Sequence, residues 1–428
     1  MKRGDSRISS DRLESLLTAR LLSFDETLRG LQEDVRAVQL PLHARDATEL
    51  LATVIDEIRK ELPDKAEELR ELSGAEEKSR RSVVLNYALE RFMSFVYTLV
   101  QGTRNLPSAF FQFIEMMEES LPRDWRFGFL VGSERELGTV RLNEFLGKIL
   151  DPFVGASQYL SLEPRRWLFL VPPSVMDNPL SWVLLSHEVG HVLELSQLKV
   201  VLDLYGPIEK VPSSYETTQL RYRHSEEYQA DFFASYFFGP CFVKRLLLTH
   251  YTRETYVSPS HPSWEERVKA LLDRGISKLP TPKIYRSFVQ NALEGIKMGA
   301  GAVPGDIVDL ESLFDKTLNG IRGNLNAFDC ESAEFGVARA RLADFSPYTN
   351  DYILLLNAAV LEEERALSAY TERGLGPPDR ADREFRYLVL DSLRLCYVRM
   401  HYLRRARTEK AAREASEELA KSSLERAA

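Results

Sequence analysis

Cysteine is scarce, and the three present, Cys241, Cys330 and Cys396, stand far apart in the chain. They offer neither a disulfide framework nor a CxxC metal knuckle, and a reducing cytoplasm is the compartment that suits them. Positive charge is not in excess either: 56 Lys and Arg face 64 Asp and Glu, a net charge of -8, without a long basic block. That removes the electrostatic footprint expected of a nucleic-acid binder. Long apolar runs are also missing. The longest weakly polar stretch, 232–243, is broken by Gly239 and Pro240 and falls far short of the roughly 20 residues a spanning helix needs, so no membrane span is expected. The opening MKRGDSRISSDRLESLL has basic residues but no apolar segment behind them, which does not read as a secretory signal.

What remains is an ordinary globular composition, with 44% apolar and 28% charged residues in 428, enough chain for two or three domains. Residues 10–120 read as successive amphipathic helices, for example 12–38 and 47–72, with breaks near Pro41 and Pro63. RFGFLVG (126–132) and RRWLFLV (165–171) are short aromatic and β-branched runs bounded by turn residues, each a strand candidate. The second, continuing as RWLFLVPPS, reads either as an edge strand that pairs with an extended substrate or as a plain core strand. From about 278 onward the pattern is helical again, ending in a mixed-charge tail of helix formers. Three regions follow: helical 1–122, a core at 123–275, and helical 276–428.

Helix signals are clearest around the histidines. Asn178 can cap a helix with Pro179 in its first position, running through LSWVLLSHEVGHVLELSQL to about Leu198. The stretch 200–223 reads as an irregular connection. Ser225 can cap a second helix, with Glu226 and Glu227 in its first turn and Gly239–Pro240 as its stop. A third begins near His261, with either Pro262 in its first position or Ser263 and Glu266 forming a capping box, and ends at Gly275.

The chemistry is carried by HEVGH. Its spacing puts His187 and His191 on one helical face, where two neutral imidazoles can reach one metal ion, with Glu188 beside them to take a proton from the attacking water. The competing reading is a buried helix whose histidines are satisfied by hydrogen bonds. Catalytic zinc usually has three protein ligands. Glu194 lies about 10 Å of helical rise beyond His187, too far to close around the same ion. Glu227 on the next helix is the better third ligand. Asp231, four residues further on, can orient a ligating histidine, and Ala230 and Ala234 permit close helix packing. His224, Tyr215, Tyr222 and Tyr228 lie nearby in sequence and suit packing or surface roles better than substrate contact.

HEVGH, EYQAD and HPSWEERVKAL, in that order, resemble the gluzincin family of HtpX-like and CAAX prenyl proteases, over roughly 165–273. The resemblance implies that His261 helps stabilise the oxyanion and that Arg267 supports the site by pairing with an acidic neighbour. Taken as isolated residues, His261 could equally be a cap or turn and Arg267 a solvated charge. Many relatives are membrane-embedded or exported, so only the chemistry carries over.

The expectation is a mainly α, α+β protein: a zincin-like core with a small sheet and an HExxH helix, wrapped by helical N- and C-terminal regions. It would bind one zinc per chain and hydrolyse a protein or peptide substrate in the cytoplasm. The alternative is a non-catalytic interaction protein whose zinc braces a helical scaffold. An intact HExxH weighs against that alternative, since a structural zinc site needs no general base.

Overall fold

The computed structural model describes residues 10–38, 45–105, 107–125, 128–133, 138–153, 166–205, 216–251, 261–279, 283, 286–287 and 308–427. The expected break at Pro41, the residue Tyr215, the connection at 206–215 and most of 280–307 lie outside these. Among the described residues the protein is mainly helical, with one small sheet. Its chain divides into two compact units, 1–106 with 127–174, and 107–126 with 175–428. The three regions read from the sequence cut across this division.

In the first unit, helices α1 (Ser10–Ala37), α2 (Arg45–Glu71) and α3 (Ala75–Asn105) bury regular apolar stripes. Leu51, Ile55, Ile58, Leu62, Ala66 and Leu69 of α2 recur every three or four residues and are all buried, as an amphipathic helix on a core requires. That stripe runs through Pro63, which sits inside α2 rather than breaking it. Core packing on both sides holds the helix where local propensity would end it.

Strands β1 (Gly128–Ser133), β2 (Gly138–Arg141) and β3 (Arg166–Val171) form a mixed sheet in the order β1-β3-β2. β1 runs parallel to β3, with Phe129 opposite Trp167, while β2 is antiparallel to it. β3 is therefore the central strand, hydrogen-bonded on both sides. The edge-strand reading of RWLFLV is corrected by this topology, because β3 has no free ladder to offer a substrate. Trp167, Leu168, Phe169 and Val171 are buried, as expected of a core strand.

One described stretch, 75–100 within α3, is long and apolar enough to cross a membrane, and 50% of its apolar window is buried inside the fold. Leu85, Leu89, Phe92 and Val96 are the buried face.

In the second unit, α4 (Ser108–Ser120) and a 3-10 turn (Pro179–Leu184) lead into α6 (Leu185–Leu193), the helix of HEVGH; α5 (Leu142–Leu150) belongs to the first unit. Asn178 caps as expected, its side chain accepting from the Leu180 N–H at 3.1 Å. The helical path continues to Leu198 through a wider turn, with Lys199 N–H donating to the Glu194 carbonyl five residues back. The stretch expected to be irregular then contains α7 (Val200–Tyr205).

The central element is α8 (Glu216–Phe238), which begins well before Ser225. The Ser225 cap is thus corrected: its hydroxyl donates to the Arg221 carbonyl one turn back, a bond serine makes in mid-helix with the same group it would use to cap. Gly239, at φ +76, ends α8 as expected. An added Cβ there would lie 2.5 Å from the Phe328 ring. After it come α9 (Pro240–Tyr251), α10 (Trp264–Ala270), α11 (Leu310–Ile321), α12 (Ala333–Ala343), α13 (Tyr352–Glu372) and α14 (Pro378–Ala427). Asn357 of α13 pins the α8–α9 turn, accepting from Cys241 N–H at 3.1 Å and donating to the Phe238 carbonyl at 2.5 Å.

Candidate metal centre

The site lies wholly within the second unit, where α6 packs on α8 and α10 also packs on α8. The approach of α6 to α8 is set by Gly190. A Cβ built on Gly190 would stand 2.6 Å from Ala230 Cα and 3.0 Å from Ala230 Cβ, inside van der Waals contact with backbone that cannot swing away. Glycine in the middle of HEVGH is what lets the two helices touch at the level of the ligands.

That contact brings three donors together. His187 Nε2 lies 3.0 Å from His191 Nε2 and 3.3 Å from Glu227 Oε2, and His191 Nε2 lies 3.4 Å from Glu227 Oε1. All three ligand atoms fall within 4.8 Å of one another. Ligands about 2.0–2.2 Å from a tetrahedral ion stand roughly 3.3 Å apart, so the donor set fits zinc in both type and spacing.

Charge around the donors also favours a cation. His187 Nδ1 is 2.9 Å from Asp231 Oδ1, which assigns a proton to Nδ1 and turns Nε2 toward the other ligands. Burial and Arg267 push the His187 pKa down, yet Asp231 and Glu227 outweigh them and raise it to about 9. Burial alone would lift the Glu227 carboxyl, but His191 and Arg267 hold it well below the usual carboxylate range. Asp231 is likewise lowered against burial, by Arg267 and His187.

Arg267 is the structural tie. From α10 it donates to Asp231 through Nε at 2.7 Å and Nη2 at 2.6 Å, and its Nη1 lies 3.3 Å from Glu227 Oε2. This is the acidic pairing the family resemblance implies, formed by a buried guanidinium rather than a solvated one. α10 itself starts at Ser263 with the capping box closed by Glu266, the second of the two starts open from sequence. His261, just before it, reaches Glu227 Oε1 at 3.3 Å with 57% of its side chain exposed. It stands at the solvent side of the site. Glu188 is buried beside His187 and contributes to the negative surroundings of Arg267.

The structure brings His187, His191, Glu227, Asp231, Arg267 and His261 together, with Glu188 next to His187 in α6. Glu194, set aside as a ligand from sequence, lies outside this group: its Oε1 accepts from the N–H groups of Val201 and Leu202 at 2.6 and 3.0 Å, capping α7. Tyr222 and Tyr228 are buried, in keeping with packing roles. His224 is buried, and among the described residues its Nε2 has no hydrogen-bond partner. Glu226 was read from sequence only as a first-turn acid. It is half-buried, and burial raises its carboxyl to about 7 against the pull of His191. Its neighbour Glu227 points to the metal donors, so the one sequence signal for Glu226 is a second acid directly before the ligand.

Comparison with protein-family models, with curated proteins and with solved structures finds no match.

A first expected result concerns Gly190. Gly190→Ala should force α6 and α8 apart, costing about 1–3 kcal/mol as overpacking does. Separating the imidazoles from Glu227 should also weaken metal retention by at least about tenfold, since about 1.4 kcal/mol of lost donor geometry is enough for that. Chelator competition reads this directly. Wild-type metal affinity in the folded variant would mean that the helix contact does not set the donor geometry.

Proposed function

We propose that this protein is a zinc-dependent metallopeptidase of the gluzincin class. Within that class, the order and spacing of its three motifs are most like the HtpX-like and CAAX prenyl proteases. The observation that carries the reading is the convergence of His187, His191 and Glu227 at tetrahedral edge distances, with Glu188 adjacent in the same helix.

His187, His191 and Glu227 would hold the ion. Zinc bound there supplies a Lewis acid for the scissile carbonyl and lowers the pKa of water to near neutrality. Glu188 takes a proton from the attacking water and passes it to the leaving amine. His261, exposed at the solvent side of Glu227, is in a position to donate to the oxyanion that develops on the substrate. Asp231 and Arg267 hold His187 and Glu227 in place. The substrate is a protein or peptide, and the zincin-like core and cytoplasmic location belong to the same proposal.

The brace alternative rests on the depth of the site, since His187, Glu227, Asp231 and Arg267 are all buried. His191 at 21% and His261 at 57% side-chain exposure favour catalysis, because a closed structural site has no need of an open side.

Metal analysis is the direct test. Purified protein should carry about one zinc per chain, and at free zinc a hundred times Kd the metal should add about 2.7 kcal/mol to stability. Glu227→Ala should lose both effects. Equal zinc binding by Glu227→Ala and the wild type would remove Glu227 from the ligand set and, with it, the gluzincin reading.

A further inference from the structure

A second surface, remote in sequence from the metal ligands, lies on α14. One side of this helix is seated on the fold through the buried residues Phe385, Val389, Leu393 and Cys396. The other side is not covered: Leu395, Val398 and Tyr402 are 43%, 61% and 71% exposed. Their spacing of three and four residues puts them in one line along the helix.

The same stretch is strongly basic. Between 394 and 410 stand Arg394, Arg399, Arg404, Arg405, Arg407 and Lys410 against the single acid Glu409, a net +5 with histidine neutral, in a chain whose net charge is -8. Arg394 pairs with Asp391, Arg404 with Glu119, Arg405 with Glu409 and Lys410 with Glu414. Surface pairs of this kind are weak and exchange readily for another anion. By helical spacing Arg399 and Arg405 flank the apolar line, one on each side, while Arg404 and Arg407 lie round the helix on the side of the buried stripe.

We infer that this face of α14 docks on an anionic lipid bilayer. An exposed line of aliphatic and tyrosine side chains flanked by arginines is the pattern of a helix lying in a membrane interface, where the apolar line enters the headgroup boundary and the cations meet lipid phosphates. A nucleic acid would use the arginines but leave Leu395 and Val398 without a role. An acidic protein surface would use the charge with nothing to receive the apolar line. The bilayer is the partner that uses both. The docking itself needs no spanning helix, and it is independent of the metal site.

Co-sedimentation of the full chain with vesicles tests this. Binding should be at least about tenfold stronger to vesicles of phosphatidylcholine with phosphatidylserine than to phosphatidylcholine alone, and should weaken as salt is raised. Two double variants divide the contributions, Val398→Asp with Tyr402→Asp for the apolar line and Arg399→Glu with Arg405→Glu for the charge. Each should lower binding by about tenfold or more, with zinc content and helical circular dichroism unchanged because all four side chains are on the surface. Absence of binding to the anionic vesicles at low salt, or binding that neither double variant weakens, would overturn the inference. So would capture of this face by duplex DNA or by a second copy of the chain, with vesicles ignored.

Discussion

Glu188→Gln should keep its zinc and lose nearly all peptide hydrolysis. The amide has the size and shape of the carboxylate, so α6 and its packing against Ala230 are undisturbed, and none of the three ligands is altered. What disappears is the only group adjacent to His187 on that helix that can take a proton. Positioned general bases contribute about 100- to 10,000-fold, and turnover should fall by at least that range. The loss should appear in kcat more than in KM, since the proton moves only on the way to the transition state. Zinc content measured on the same sample separates this from loss of the site. A folded, zinc-loaded Glu188→Gln protein with near wild-type turnover would show that Glu188 is not the base.

Arg267→Leu should have the largest effect on stability. Arg267 makes two short hydrogen bonds to Asp231 and stands 3.3 Å from Glu227, and all three groups are buried. Taking away the cation leaves two carboxylates in the interior with only the histidines to balance them. Breaking a buried ion pair from one side costs about 3–5 kcal/mol. Lysine should recover only part of the loss, because its point charge cannot make the forked contact to Asp231.

The pH dependence has a definite sign. In the wild type the folded Asp231 carboxyl lies below its ordinary value of 3.8. Its stabilisation is therefore complete above that pH and is lost as pH falls through the lowered value. In Arg267→Leu the unpaired carboxyls bind protons more easily, so the deficit relative to wild type should shrink as pH is lowered toward 4. Denaturant melts at several pH values read both quantities. A deficit under about 1 kcal/mol, or one that grows toward acid pH, would contradict the pairing.

The grouping of the candidate donors was legible in the sequence because helical geometry encodes part of it. His187 and His191 share a face by their spacing, and so do Glu227 and Asp231, whatever the tertiary structure. The limits of α8 were not legible. Ser225 presents the same hydroxyl whether it caps a helix or bonds back to a carbonyl one turn earlier, as it does here to that of Arg221. Pro63 breaks helices on average, but here the buried stripe on either side outweighs the missing hydrogen bond. β2 has only four residues, GTVR, too few for a period to register. The place of β3 in the middle of the sheet is a matter of strand order that its own residues do not encode. Gly190 reads in sequence as a variable position of HExxH. Only the 2.6 Å approach to Ala230 Cα reveals it as the contact on which the ligand geometry depends.

The central claim is that this zinc site cuts peptide bonds, and mapping new termini in heavy water tests it most directly. The zinc-loaded protein is incubated with an unfolded polypeptide in water enriched in oxygen-18, beside the Glu188→Gln variant and a chelated sample. Mass spectrometry should find new C-termini carrying the heavy oxygen in the wild-type sample and almost none in the other two. A wild-type sample with full zinc and no new termini, or with termini that form equally in Glu188→Gln, would contradict the peptidase assignment and leave the metal as a brace.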